Sequence, residues 1–224
     1  MDTIDASKSR VFLDLLEYTG LPPEFVLKRC QYAKVELAIL WKKKKSVPHF
    51  YKDNDLFIYD LTEYQMRLEH GKLVRQMVSQ LKRLGLRKVL EFGGGIGEFS
   101  IICSENGIDI TYHDLDGVIR DYAAWRFRKH GFSVKVSDKD PLEERWDAVN
   151  VMDVLEHLED PGPIIRKLAK NADYIFCNPD QVLYNELYPQ HISRFDISRD
   201  FEHVEAYLWK RKNSRKLLQA SMSI

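Results

Sequence analysis

Chemistry is concentrated at Glu91-Phe92-Gly93-Gly94-Gly95-Ile96-Gly97, where four of seven residues are glycine. The apolar pair Val89-Leu90 enters this stretch, and Phe99, Ile101 and Ile102 leave it at amphipathic spacing. That order predicts strand, tight loop and helix, the layout of a nucleotide-type pocket. Glycines there permit positive φ and let a ligand approach the backbone, and the helix start aims unpaired N–H groups into the same space. The spacing is Glu91-x-Gly93-x-Gly95-x-Gly97, not the Gly-x-Gly-x-x-Gly that receives a pyrophosphate. A carboxylate at the strand end repels a diphosphate and suits a ligand carrying cationic groups.

Other polar residues fall where such a pocket needs them. Asp114 closes the next predicted strand, 17 residues beyond Gly97, and a carboxylate there can accept hydrogen bonds from both hydroxyls of a ribose. Leu115 beside it offers an apolar surface for a base, whereas Asp116, next to Gly117, suits a turn. Ser137-Asp138 follows the third strand, with Asp140 as a possible substitute for Asp138. Asp153, Glu156 and His157 share one face if a helical turn starts at Asp153. Three roles stay open for this set: proton handling, since a histidine titrates near neutrality; a divalent cation held by oxygen and imidazole; or bracing of the loop. Tyr184, Tyr188 and His191 come after the fifth strand, on a loop at the carboxyl ends of the sheet, and His191 is a second candidate base.

Taken together, the glycine loop, Asp114, Asp138 and the run Asp153-Val154-Leu155-Glu156-His157-Leu158 with Asp160-Pro161 resemble the class I S-adenosylmethionine (SAM)-dependent methyltransferases. The likeness spans roughly residues 87 to 177 and is nearest to the small-molecule branch, the ubiquinone-pathway and natural-product enzymes. It implies SAM as cofactor, with Glu91, Gly93, Gly95 and Gly97 at the methionine end, Asp114 on the ribose, Leu115 and Asp138 on the adenine side, and Asp153 at the pocket. It implies methyl transfer to an oxygen or nitrogen of a small organic acceptor, with His157 and His191 as candidate bases. Asp153, Glu156, His157 and His191 also resemble the divalent-ion site of some ubiquinone-pathway and small-RNA 2′-O-methyltransferases. In the family, preceding helices often cover the SAM pocket, which would give Tyr59 or Tyr64 a place there. An RNA or protein acceptor and a non-catalytic SAM-binding module are the alternatives; the loop spacing disfavours a nicotinamide enzyme.

The elements that must position these residues read as an α/β fold, a doubly wound, mainly parallel sheet of Rossmann-like methyltransferase type with an amino-terminal helical cap. The expected division is a cap over residues 1–70, a SAM-binding core over 71–212 and a tail over 213–224. In the cap, a helix closes at Gly20 and a second starts at Pro23. A third, capped by Asp60 or Thr62, is expected to run to about Leu84. The core alternates strand and helix from Lys88 to Cys177. A helix over Phe195–Phe201 and one strand over Val204–Lys210 are expected to follow, leaving the family's closing strand pair incomplete. With 34 basic and 34 acidic side chains the formal charge is zero, which argues against a nucleic-acid partner. Cys30, Cys103 and Cys177 are scattered without Cys-x-x-Cys spacing, as in reduced cytoplasmic proteins. No long apolar segment predicts a membrane span.

Overall fold

A computed structural model describes residues 8–178 and 188–212. Four helices come first: α1 (Arg10–Thr19), α2 (Pro23–Trp41), α3 (Val47–Lys52) and α4 (Leu56–Gln65). Then α5 (Leu68–Leu84) leads into β1 (Lys88–Phe92), α6 (Glu98–Glu105), β2 (Asp109–His113), α7 (Val118–His130) and β3 (Val134–Val136). The chain continues through β4 (Trp146–Asn150), α8 (Gly162–Asn171), β5 (Ala172–Phe176), β6 (Phe201–Glu205) and β7 (Leu208–Arg211).

The strands form one sheet in the order β3-β2-β1-β4-β5-β7-β6. β1–β5 are parallel, and β7 pairs antiparallel with both β5 and β6, so β7 alone runs against the rest. This is the expected doubly wound α/β architecture, and chain order reverses between β1 and β4. A crevice therefore opens beyond their carboxyl ends, where ligands of such sheets bind. Strand alternation sets the two layers. Val89 packs with Val74, Leu81 and Phe99 from α5 and α6, while Leu90 packs on the other face with Ile165 and Leu168 of α8. The helices α1–α4 share one apolar cluster that reaches Ile96 of the glycine loop and Ile119 and Tyr122 of α7.

Local chemistry explains most boundaries. Gly20, Gly85 and Gly131 end α1, α5 and α7 in left-handed conformation. Pro23 opens α2, and the Ser46 side chain accepts from His49 N at the start of α3. Expectations for the cap helices and for the sheet edge are corrected. The single helix expected up to Leu84 is two, because Arg67 is extended between α4 and α5. Asp60 and Thr62 lie inside α4 and cap nothing; Asn54 Oδ1 accepts from Leu56 N instead. The aromatic run Leu56–Tyr59 starts the helix early because it is buried in the cap cluster.

The second correction closes the sheet. The expected strand from Val204 turns at Ala206, whose φ is 45°, so β6 and β7 form a hairpin and the antiparallel pair is complete. No helix covers Phe195–Phe201; Asp196 turns the chain by accepting from Ser198 N, and Phe201 already belongs to β6. Tyr184 and the expected tail 213–224 lie outside the described residues. Among the described residues the three cysteines are free and buried, and no helix is long and apolar enough to cross a membrane.

Candidate active site

Between β1 and α6 the glycine loop turns at the crevice. Gly93, Gly95 and Gly97 have φ of 71°, 55° and 80°, conformations that other residues adopt only at a cost. Space is as tight as the backbone. A Cβ on Gly94 would stand 2.6 Å from Cε2 of Tyr112, and one on Gly97 2.5 Å from Cζ of Phe127. The loop's polar groups are met by the chain itself. Gly93 N and Gly94 N donate to His113 O at 2.8 and 3.2 Å, Gly97 N to Gly94 O at 3.0 Å, and Gly95 N to Asp114 Oδ2 at 2.7 Å. The buried Tyr112 hydroxyl donates to Gly95 O at 2.7 Å, and Arg126 Nη1 to Ile96 O at 2.6 Å.

Glu91 lies beneath this loop, not in its mouth. It is buried, and its carboxylate accepts from Ser100 N at 3.1 Å and from the Ser100 hydroxyl. An acid thus occupies the amino-terminal end of α6, the place an anionic ligand would otherwise take. Burial raises its carboxyl against the opposing pull of the two Ser100 donors. Asp114 follows β2 with its second oxygen accepting from Leu115 N at 2.7 Å. Burial pushes Asp114 up to about 6, opposed by the N–H groups of Gly95 and Leu115. Leu115 is exposed beside it.

The acids farther round the crevice differ in freedom. Asp138 is exposed and paired with Arg120 of α7. Asp140 caps the short turn Pro141–Glu143 and meets Lys167. Asp116 faces Lys52 and Arg120 at 3.6 and 3.8 Å. Gly117 follows because a Cβ there would stand 2.2 Å from the backbone oxygen of Lys52.

After β4 the structure departs from the expected helical turn. Asp153 is left-handed, with φ 56°, and only Leu155–His157 form a short 3-10 turn. Asp153 is exposed and does not share a helical face with the next two. The residues that converge are Glu156, His157 and His191, whose ligand-type atoms all lie within 4.8 Å of one another. His191 is brought there because Ile192 N and Ser193 N both donate to the Glu156 carbonyl, at 2.9 and 3.1 Å. The rings of His157 and His191 are 4.8 Å apart, and Tyr188 stacks on His191 at 5.1 Å.

Electrostatics tune this cluster. Burial pushes Glu156 up to about 7. Burial, followed by the nearby His191, takes His157 down to about 4, so its imidazole is neutral at neutral pH. His157 Nδ1 lies 3.1 Å from Gln190 O and 2.9 Å from the Tyr51 hydroxyl. With the Nδ1 proton directed at the carbonyl, Nε2 is left as the basic nitrogen.

The cap adds residues that sequence reasoning missed. Tyr51 of α3 reaches His157, its hydroxyl 2.9 Å from Nδ1. Leu61 of α4 lies over the glycine loop, 2.9 Å from where a Gly95 Cβ would stand. Of the two aromatics expected at the pocket, Tyr59 is buried in the cap with Arg29 over its ring at 4.4 Å. Tyr64 is the one whose hydroxyl feels Asp153, after the dominant effect of its own burial. Arg126 had no sequence signal, because it reads as one charge among several on α7.

The sequence model of a family described as a methyltransferase domain matches residues 62–215. The chain belongs to the class I SAM-dependent methyltransferases. No curated protein matches it. Among solved structures, this methyltransferase is similar to magnesium protoporphyrin IX methyltransferase from Synechocystis PCC 6803 with bound SAH. Identity is 22% and TM-score 0.46, over 55% of this chain and 62% of that one. It is also similar to a SAM-dependent methyltransferase from Clostridium acetobutylicum, at 12% identity and TM-score 0.43 over 48% and 49% of the two chains. The methyltransferase domain of bacterial CtHen1-C matches at 19% identity and TM-score 0.39, over 47% and 63%. The chain thus spans less than two thirds of each of these structures.

Proposed function

We propose that this methyltransferase moves the methyl group of SAM to an oxygen or nitrogen atom of a small organic acceptor. One observation carries the reading. The N–H groups of Gly93, Gly94, Gly95 and Gly97 already have protein acceptors, and Glu91 already meets the start of α6. A diphosphate would have to displace those bonds, whereas a sulfonium nucleoside needs only the shape of the loop and a nearby acid. Gly93, Gly95 and Gly97 border the methionine end, with Glu91 fixing the loop from below. Asp114 receives the ribose hydroxyls, Leu115 gives the adenine an apolar face, and Asp138 meets the adenine amino group by releasing Arg120. Asp153 stands at the rim, toward Tyr64.

When bound, SAM supplies an electrophilic methyl; the chain supplies alignment and a place for the proton. A bound SAM would give its methyl to the acceptor and leave as the neutral thioether, and the acceptor's proton would pass to a neutral imidazole, that of His157 or His191. His157 is held in that state by burial and His191, and Tyr51 with the Gln190 carbonyl fixes its orientation. Isothermal titration with SAM tests the cofactor placement, with NAD as control. Asp114→Ala and Gly95→Val are each expected to abolish measurable SAM binding while circular dichroism stays unchanged. Binding near the unmutated level in both variants refutes the placement.

The convergence of Glu156, His157 and His191 favours a second reading of that corner, a divalent cation. Ligands on opposite sides of such an ion stand about 4–5 Å apart, so the 4.8 Å spread of these atoms fits. The His157 Nδ1 contact with a backbone carbonyl also matches the orientation of a metal-binding imidazole. These three residues would hold the ion, which would polarise the acceptor oxygen. In the same titrations, Mn²⁺ binding lost in Glu156→Gln supports this reading; no Mn²⁺ binding by the unmutated protein removes it and leaves the histidines as bases.

A further inference from the structure

α2 has two apolar faces. Val26, Cys30, Ala33, Leu37 and Trp41 are buried in the cap cluster. On the far side, Phe25, Tyr32, Val35 and Ile39 are 59%, 53%, 47% and 54% exposed. Positions 25, 28, 32, 35 and 39 advance by alternating steps of three and four, with Lys28 the only polar member. That is the spacing of a seam made to meet another helix. A helix whose outer face met only water would be polar along it, and a continuous exposed apolar row marks an interface.

Charge selects the occupant. Lys28 and Glu36 are both exposed and lie four residues either side of Tyr32. A two-fold axis through Tyr32, with two copies of α2 antiparallel, places Phe25 against Ile39 of the second copy and Lys28 against its Glu36. Parallel packing would instead set Lys28 on Lys28 and Glu36 on Glu36. The face is complementary to itself in one direction only, as an isologous interface requires.

We propose that α2 forms the contact of a homodimer, two copies crossing antiparallel about Tyr32. Sedimentation velocity of the full chain over a concentration series tests this. The unmutated protein is expected to dimerise, and Tyr32→Glu to stay monomeric. Glu36→Lys turns two facing pairs from attractive to repulsive, raising the dissociation constant about tenfold. Lys28→Glu combined with Glu36→Lys should restore dimerisation, whereas in a parallel arrangement Glu36→Lys would only exchange one like-charge pair for another and leave nothing to rescue. All are surface substitutions, and unchanged melting temperatures verify that the monomer is intact. A monomer at every concentration, a dimer indifferent to Tyr32→Glu, or no rescue in the double swap overturns the proposal. So does a monomer that binds phosphatidylglycerol vesicles through this face.

Discussion

Replacing Arg126 with Met should destabilise the protein and loosen the cofactor loop together. Arg126 is fully buried on α7, and its guanidinium serves three elements. Nε donates to Asp14 Oδ2 of α1 at 3.0 Å, Nη2 to Glu98 Oε2 of α6 at 2.8 Å, and Nη1 to the Ile96 carbonyl at 2.6 Å. Removing one partner from a buried ion pair costs about 3–5 kcal/mol, and a buried carbonyl left without a donor about 1–3 kcal/mol. The full sum does not apply, because Asp14 keeps Lys129 and His130 while Glu98 keeps Arg10. A loss of about 4 kcal/mol is the expected outcome, a fall in melting temperature of roughly 8–16 °C for a domain this size. Burial alone would raise Asp14 and Glu98, yet the facing cations, Arg126 foremost, hold both below their usual values. A depressed folded-state pKa gives stability that is present above the unfolded value and lost as pH falls through the folded one. The penalty of Arg126→Met should therefore be full at neutral pH and shrink below about pH 4. Urea denaturation at both pH values reads the energies, and SAM titration reads the loop. A neutral-pH loss under about 1 kcal/mol would refute the claim that this ion network ties the cap to the loop.

Two further outcomes follow from the loop and its acid. Gly97→Ala meets a φ of 80° and the Phe127 ring at 2.5 Å; strain of about 1–2 kcal/mol and overpacking of about 1–3 kcal/mol add to a loss of about 2–5 kcal/mol. Urea denaturation showing a stability change near zero would contradict that packing. SAM affinity should weaken as pH drops through about 6, because Asp114 titrates there and its protonated form loses acceptor capacity for the ribose. Titration calorimetry with flat affinity down to pH 5 would mean that Asp114 does not carry the ribose.

How much was legible follows from the range of the forces involved. β1 was readable, since the apolar pair Val89-Leu90 running into a glycine-rich turn is a local signal. The hairpin of β6 and β7 was not, because Ala206 turns it without glycine or proline and the pairing to β5 is what holds it. The glycine loop and Asp114 were visible as residue types at fixed spacing. Their hydrogen bonds were not: the loop N–H groups expected to face a ligand are taken by His113, Gly94 and Asp114. Asp153 left the expected helical face because its backbone is left-handed, a state that short polar side chains tolerate and sequence does not announce. Arg126 finds Asp14 from 112 residues away, so no local pattern could single it out.

Those long-range contacts change what the cap is. Three loops of the crevice are touched by a cap residue: Gly95 by Leu61, Gly117 by the Lys52 carbonyl and His157 by Tyr51. Asp14 reaches Ile96 through Arg126. These contacts lie at the ends of β1, β2 and β4, beside the proposed cofactor site. A lid resting on one edge could open without cost to the others. Here, lifting α3 or α4 would uncover the loops and also remove the partner that orients His157. Exchange of the α3–α4 segment is therefore expected to change turnover across a panel of acceptors more than substitution along the strand ends, and an unchanged acceptor profile would contradict that expectation.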